Sequence, residues 1–408
     1  MRRRAVLILC MLVVFLETHS QVMTIDSIIK NIEKNNPVLQ KYGYRINALD
    51  TYATAAKSWD APQVGAGFFM LPYKLSPNMG SVMLSVQQMI PNPGKLNSSY
   101  NYLNQKSSLE RESRNFDQNQ LIAMAKMLYY DWIILKKKEQ VLRSNQSQMN
   151  FLIQTSEARL AYEQEKLNSI YKAKAALLEI DKEQLMYDRE IAEKRVGLNT
   201  LMNRDKNSSF DIDTNYRIKD YSMILTDTIA VARSRSDIRM IDQSVKLMVL
   251  NEKIELSRRN PDFGIKYDHM FGLGNQPDQF TLMGMITIPI APWSSRSYRS
   301  NIKAMDLETQ SMQKEKEARV NEVSGKLISL RNQIENLKKQ LNLYETGIIS
   351  ALKKNYQTTM LAYEQNTTDL FLVIDAWQTL TMTEIQSLDS LRELLEMQVE
   401  FEKEIEQK

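Results

Sequence analysis

Hydrophobic residues recur along this chain with helical spacing over unusually long stretches, interrupted twice by short segments that alternate instead. Between Thr24 and Asn35, Ile25, Ile28, Ile29 and Ile32 fall on one helical face, and Asn36-Pro37 breaks the run, because a residue before proline is pushed away from helical geometry. A second helical stretch continues to about Ser58 and stops at Trp59-Asp60-Ala61-Pro62. Val64 to Met70 and Ser81 to Ile90 then read as strands of a β-hairpin around a loop, Leu71 to Gly80, rich in proline, asparagine and glycine. In the second strand Val82, Leu84 and Val86 oppose Met83, Ser85 and Gln87. From Lys95 to about Leu160, and from Leu167 to Met202, helix formers dominate with almost no glycine or proline. Roughly 60 residues at a rise of 1.5 Å give a rod of about 90 Å, far beyond the usual globular helix.

The pattern occurs twice. Leu160-Ala161-Tyr162-Glu163-Gln164 returns unchanged as Leu361-Ala362-Tyr363-Glu364-Gln365, an offset of 201. Ala61-Pro62-Gln63-Val64-Gly65 corresponds to Asn260-Pro261-Asp262-Phe263-Gly264, and Pro91-Asn92-Pro93 to Pro289-Ile290-Ala291-Pro292, at offsets of 198 to 199. Order and spacing are kept across three landmarks, which indicates a structural duplication. The expected organisation is a leader over 1–20, a first repeat over 21–202 with its hairpin at about 64–90, a polar connector over 203–221, and a second repeat over 222–408 with its hairpin at about 263–289. In that second hairpin Phe280, Leu282, Ile286 and Ile288 share a side. The end of the last helix, Leu391 to Lys408, reads as a charged, solvated extension.

The leader reading rests on Arg2, Arg3 and Arg4, the apolar stretch Ala5 to Leu16 and the small residues around Thr18-His19-Ser20, with cleavage near Gln21. That apolar stretch is too short for a membrane helix, and no later segment is both long and uncharged enough. Cys10 is the single cysteine, and Leu9 before it argues against lipid anchoring, so the mature chain is expected to lack disulfides.

Charge is nearly balanced, with 53 Lys+Arg against 49 Asp+Glu, and removing Arg2, Arg3, Arg4 and Glu17 leaves 50 against 48; nothing points to nucleic acid. Of two histidines only His269 survives the leader, which leaves almost no material for a catalytic triad or an ordinary zinc site. No catalytic residue, cofactor or metal site is expected. The 23 methionines raise a soft-metal reading, since thioethers suit Cu(I), but Met79, Met83, Met89, Met283 and Met285 show no ligand spacing along the chain.

Two hairpins supply four strands, too few to close a transmembrane barrel, and open edges are not tolerated in lipid. If these strands enter a membrane, several chains must pool them. Pro91 and Pro93, and Pro289 and Pro292, sit where each second strand must turn into a helix. Tyr73, Tyr267 and Trp293 flank the strands as candidates for an interfacial aromatic belt.

Together with Asn36-Pro37-Val38-Leu39, Trp59-Asp60-Ala61-Pro62, Gln87 through Leu96, Leu198-Asn199-Thr200-Leu201-Met202 and the two Leu-Ala-Tyr-Glu-Gln turns, the chain resembles the TolC-like outer-membrane efflux protein family over essentially its whole mature length. The resemblance implies a mainly α fold with a small β part. Very long antiparallel helices would form an α-barrel tunnel, and two β-hairpins per chain would contribute to a shared trimeric transmembrane β-barrel. It further implies a homotrimer in outer-membrane lipid projecting into the periplasm, an exit duct for efflux or type I secretion, working with a periplasmic adaptor protein and an inner-membrane pump. Drugs, metal cations and polypeptides all remain open as cargo.

In the family the turns beside the repeated tyrosines form tips that contact the adaptor, which maps here to Leu160, Ala161, Tyr162, Glu163, Gln164 and Glu165, and to Leu361, Ala362, Tyr363, Glu364, Gln365 and Asn366. Where relatives often carry glycine, this chain has Glu165 and Asn366; asparagine tolerates a left-handed turn and glutamate does so poorly, so the first tip is expected to be built differently. The family's acidic entrance maps to Asp375, with Leu372 at the companion position and Asp369 one turn nearer the tip. The competing reading is a soluble periplasmic coiled-coil scaffold or adaptor, in which the glycine-containing segments are only turns.

Overall fold

The computed structural model describes residues 22–73, 79–221 and 228–406. The leader with its cleavage site and Cys10, part of the first hairpin loop, and the first residues of the second repeat lie outside the described residues. The elements are β1 (Val22–Met23), α1 (Ile25–Asn35), α2 (Pro37–Ala55), β2 (Gln63–Phe69), β3 (Ser81–Ile90), α3 (Pro93–Leu160), α4 (Leu167–Leu201), β4 (Asp211–Ile212), α5 (Thr228–Arg233), α6 (Ser236–Ser257), β5 (Phe263–Gly272), β6 (Gln279–Ile286), α7 (Pro292–Leu343), a π-helical turn (Tyr344–Ile348), α8 (Ile349–Glu364) and α9 (Leu370–Glu404). The mainly α fold with a small β part is as expected, and α3, at 68 residues, is longer than the pattern alone suggests because Pro93 sits inside its first turn. Among the described residues no helix is long and apolar enough to cross a membrane.

The described residues form two compact units, one from within 22–40, 117–232 and 322–406, the other from within 41–116 and 233–321, so each draws on both halves of the sequence. In the first unit two apolar clusters hold the helices. One gathers Met23, Ile28 and Ile32 against Trp132, Ile133, Leu198, Met202, Phe210 and Ile212. β1 pairs in parallel with β4, Val22 with Asp211 and Met23 with Ile212, which pins the connector to this cluster. Asn36 explains the break between α1 and α2: its Oδ1 accepts from the Val38 amide at 2.9 Å, and its Nδ2 donates to the Leu201 carbonyl at 2.8 Å, so one buried side chain caps two helix ends. Asn199 does comparable work in the connector, donating to the carbonyls of Lys206 (3.2 Å) and Ser208 (2.9 Å).

The end of α9 overturns the expectation of a solvated extension. Leu391, Leu394, Leu395, Val399 and Phe401 are buried, and so is Glu402, 4% exposed. Glu402 receives Lys126 Nζ at 2.6 Å, Lys219 Nζ at 2.5 Å and the Tyr221 hydroxyl at 2.8 Å. Burial alone pushes its carboxyl pKa up, but the hydrogen bonds from Lys126 and Lys219 outweigh it and hold the group below the usual carboxylate range. Lys326 bridges Glu400 (2.5 Å) and Glu404 (2.6 Å) in the same stretch. The charges that make this segment look solvated are matched by lysines distant in sequence.

In the second unit the two hairpins join into one antiparallel sheet, order β2-β3-β5-β6. The register runs from Ser81 opposite Gly272 to Ile90 opposite Phe263 at the central seam. β6 stops at Ile286, three residues short of the expected hairpin end, so Ile288 lies beyond the strand. The proline junctions are as anticipated: Asn92 Oδ1 accepts from the Gly94 amide at 2.9 Å, capping α3 with Pro93 as its first residue. Asp262 ties the junction to β5, accepting from the Asn92 amide (2.9 Å) and from Lys95 Nζ (2.6 Å).

Candidate functional site: an apolar sheet face and two cross-linked helical turns

Alternation on the sheet separates two faces. Val64, Ala66, Phe68, Val82, Leu84, Val86, Phe263, Ile265, Tyr267, Phe271, Phe280, Leu282 and Ile286 lie on one side, and all are exposed. The other side carries polar, glycine and thioether positions and is the more sheltered, with Gly264, Asp268 and Met270 buried. A sheet that hides its polar face and presents its apolar one is built inside out for water, and this is the distribution lipid demands of a barrel wall. Both edges, β2 and β6, lack partners among the described residues. Tyr267 is on the apolar face, while Tyr73 and Trp293, the latter 84% exposed, lie at the sheet margins.

In the first unit, α3 and α4 are joined by one tight turn and α8 and α9 by another. Both are Schellman turns. In the first, the Gln164 amide donates to the Arg159 carbonyl (3.1 Å) and the Glu163 amide to that of Leu160 (3.0 Å); in the second, Thr367 donates to Ala362 (2.9 Å) and Asn366 to Tyr363 (3.0 Å). The left-handed residues are Glu163, φ 60°, and Asn366, φ 59°. Asn366 therefore takes the conformation anticipated for it, whereas Glu165 does not, and the first turn places its strained residue two positions earlier. The turns are equivalent at an offset of 203 although the pentapeptides repeat at 201.

That slip gives identical sequences different surroundings. Tyr162 is 77% exposed, while its sequence counterpart Tyr363 is 2% exposed. The Tyr363 hydroxyl lies 3.0 Å from Ser156 Oγ and donates to Glu165 Oε2 at 2.7 Å. Burial, reinforced by the Glu165 carboxylate, raises the phenol pKa and keeps it a neutral donor. Arg159 covers the end of α8, donating to the carbonyls of Tyr363 (2.9 Å) and Glu364 (3.2 Å) and to Asn366 Oδ1 (3.1 Å), with its guanidinium 4.4 Å above the Tyr363 ring. A cation there satisfies orphan carbonyls and complements the helix dipole. Lys166 and Asp369 form a longer, exposed pair at 3.4 Å.

Leu160 is half-buried, Ala161, Glu163 and Gln164 are exposed in the first turn, and Leu361, Glu364, Gln365 and Asn366 are exposed in the second, with Ala362 half-buried. Asp375 lies exposed on α9 and makes no ion pair among the described residues; it shares that helix face with Phe371, Leu372 and Met382 and is not brought into contact with Asp369. Sequence reasoning passed over Ser156 and Arg159, which have no counterpart in the second half. An arginine in the last turn of a helix was the available signal.

The fold is a framework of very long helices carrying an open-edged four-stranded sheet with an exposed apolar face. Residues 28–204 match the outer membrane efflux protein family model. The whole fold is similar to the outer-membrane channel OprN (15% identity, TM-score 0.77, covering 94% of this chain and 90% of that one). It is also similar to the outer membrane protein VceC from Vibrio cholerae (13%, 0.75, 93% and 95%) and to the open-state MtrE outer membrane channel from Neisseria gonorrhoeae (15%, 0.73, 93% and 88%). No curated protein sequence matches the chain. The chain is thus similar to outer membrane efflux proteins over residues 28–204 and shares its fold with these outer-membrane channels.

Proposed function

We propose that three copies of this chain pool their sheets into a barrel in the outer membrane and their helices into a periplasmic tunnel, an exit duct that carries cargo passively to the exterior. A periplasmic adaptor and an inner-membrane pump supply recognition and energy. The observation that carries this reading is the exposed apolar face of a four-stranded sheet with two free edges. In lipid every backbone donor and acceptor needs a partner, so β2 of one copy must meet β6 of the next until the ring closes. The scaffold alternative leaves that apolar face in water without a purpose.

The two turns are the adaptor-facing tips in this reading, from Leu160 to Glu165 and from Leu361 to Asn366. Arg159, Ser156, Glu165 and Tyr363 clamp one tip to the other within a chain, which presents them to a partner as one unit. Asp375, with Asp369 nearer the tip, lines the tunnel entrance, where several copies would concentrate negative charge about the axis and favour cations. Cross-linking in cells tests the tips: a photoreactive residue at Gln164 or Gln365 is expected to capture a periplasmic protein, and one at Gln243 on α6 is not. Equal capture at all three positions contradicts the assignment.

A further inference from the structure

β6 leaves the sheet at Ile286, and a short connection brings the chain to Pro292, the first residue of α7. Over this step the exposed side chains change character in a fixed order. Ile288 and Ile290 prolong the run of exposed apolar residues, Trp293 follows, and Arg296, Arg299 and Lys303 come next, all of them exposed. At 3.6 residues per turn the three cations fall within about 60° of one another around α7. Asn301, which donates to Glu255 on α6 at 3.1 Å, marks the opposite, packed side of that helix.

Other cations at this end of the sheet are engaged by the chain itself: Lys95 pairs with Asp262, Arg258 with Glu255, and Lys57 lies over the Tyr100 ring. Arg296, Arg299 and Lys303 form no ion pair among the described residues. The first acid on α7, Asp306, stands on the flank of their face and accepts from Gln310 Nε2 at 3.0 Å. Nor does local structure call for cations here, because the dipole of a helix disfavours them in its first turns. The duplication supplies the contrast. At the offset of 199 the corresponding positions of α3 are Asn97, Tyr100 and Asn104, so the helix that leaves the first hairpin carries no charge there.

We propose that Trp293, Arg296, Arg299 and Lys303 form a collar that binds the anionic headgroups of phospholipids, in the leaflet on the helix side of the sheet. The proposal rests on the duct reading, in which the apolar face lies in hydrocarbon, and adds the class of lipid selected at its foot. The order of side chains along the chain matches the order of layers in a leaflet: apolar residues in hydrocarbon, an indole at the interface, cations at the phosphates. Arg296 and Arg299 stand about 4.5 and 9 Å beyond Trp293 along α7, within reach of a polar layer that adds roughly 5–8 Å to each side of the hydrocarbon core. A guanidinium meets a phosphate with two parallel N–H donors. Lys303, about 15 Å along, adds attraction that fades over a Debye length of about 8 Å.

The test uses the full-length, detergent-extracted protein, mixed with equal amounts of phosphatidylglycerol and phosphatidylcholine, with the retained lipids counted by native mass spectrometry. It is compared with a collar variant, Arg296→Gln, Arg299→Gln and Lys303→Gln, and with a control of equal charge loss far from the strands in sequence, Lys246→Gln, Lys314→Gln and Lys339→Gln. The natural protein and the control are expected to favour phosphatidylglycerol by about fivefold for each cation engaged, and the collar variant to lose roughly tenfold or more of that preference. Arg299→Gln alone is expected to lose about fivefold. Raised salt narrows the preference of the natural protein and leaves the collar variant unchanged. The same preference in natural and collar proteins overturns the proposal alone, and so does an equal loss in collar and control, which reports net charge only. Loss of an acidic protein partner, rather than of lipid, from the collar variant assigns the surface to protein docking and overturns it as well. Failure of the natural protein to form pores in planar bilayers overturns the duct, and the proposal with it.

Discussion

Leu84 and Ser85 are adjacent in β3 but stand on opposite faces of the sheet, so placing the same charge at each separates a lipid-facing wall from a solvated one. Leu84 is exposed, opposite Ala66 on β2 and His269 on β5, near the middle of the apolar face. Ser85 stands between Gly65 and Asp268 on the sheltered face. A lysine at a bilayer midplane costs about 2–4 kcal/mol per copy in a barrel wall. In a ring of three copies Leu84→Lys thus costs roughly 6–12 kcal/mol, comparable with the whole stability of a folded domain. At Ser85 the new ammonium has empty space over Gly65 and a carboxylate beside it, and no such cost arises. Heat-resistant oligomer in outer-membrane fractions is the readout. Leu84→Lys is expected to abolish it and Ser85→Lys to preserve it; equal assembly of both, or the reverse order, refutes the placement of this face in lipid.

Tyr363→Phe removes the hydroxyl contacts to Ser156 and Glu165 and is expected to destabilise the second turn by about 1–2 kcal/mol, read as faster amide exchange over 361–369, whereas Tyr162→Phe in the identical pentapeptide leaves exchange unchanged. Similar effects for the two tyrosines sink the account of the slipped turns. Glu402→Ala leaves Lys126 buried without its partner and is expected to cost roughly 3–5 kcal/mol at neutral pH in thermal unfolding of the extracted protein. Because the folded pKa of Glu402 lies below its unfolded value, its contribution is complete above about pH 4.3 and fades as pH falls through the folded pKa, so the gap between natural and variant protein narrows only in acid. A gap that widens in acid contradicts the sign of that shift. Asp375→Asn is expected to lower cation preference in planar bilayers, and unchanged selectivity returns Asp375 to an ordinary solvated surface.

Much of the fold was legible because it depends on local rules. Asn36-Pro37 and Asn92-Pro93 each place a capping side chain before a proline at the first helical position; the first starts its helix where the break was read, and the second starts its helix two residues before Lys95, at a junction whose prolines were read as turning strand into helix. Alternation in β3 revealed its two faces before the pairing was known. The turns were less legible. Two copies of Leu-Ala-Tyr-Glu-Gln imply equivalent geometry, but a helix ends where its last carbonyls find donors, and Arg159, outside the repeated residues, supplies them for α8. The end of α9 misled for a related reason: Glu400, Glu402 and Glu404 look solvated in sequence, and the lysines that neutralise them, Lys126, Lys219 and Lys326, arrive only through tertiary packing.

Whether copies of this chain close a barrel in the outer membrane is tested most directly by separating membranes by density and measuring the mass of the detergent-extracted particle. The expected result is an outer-membrane particle with the mass of three chains. A periplasmic monomer or dimer, recovered without detergent, contradicts the shared barrel and restores the soluble scaffold.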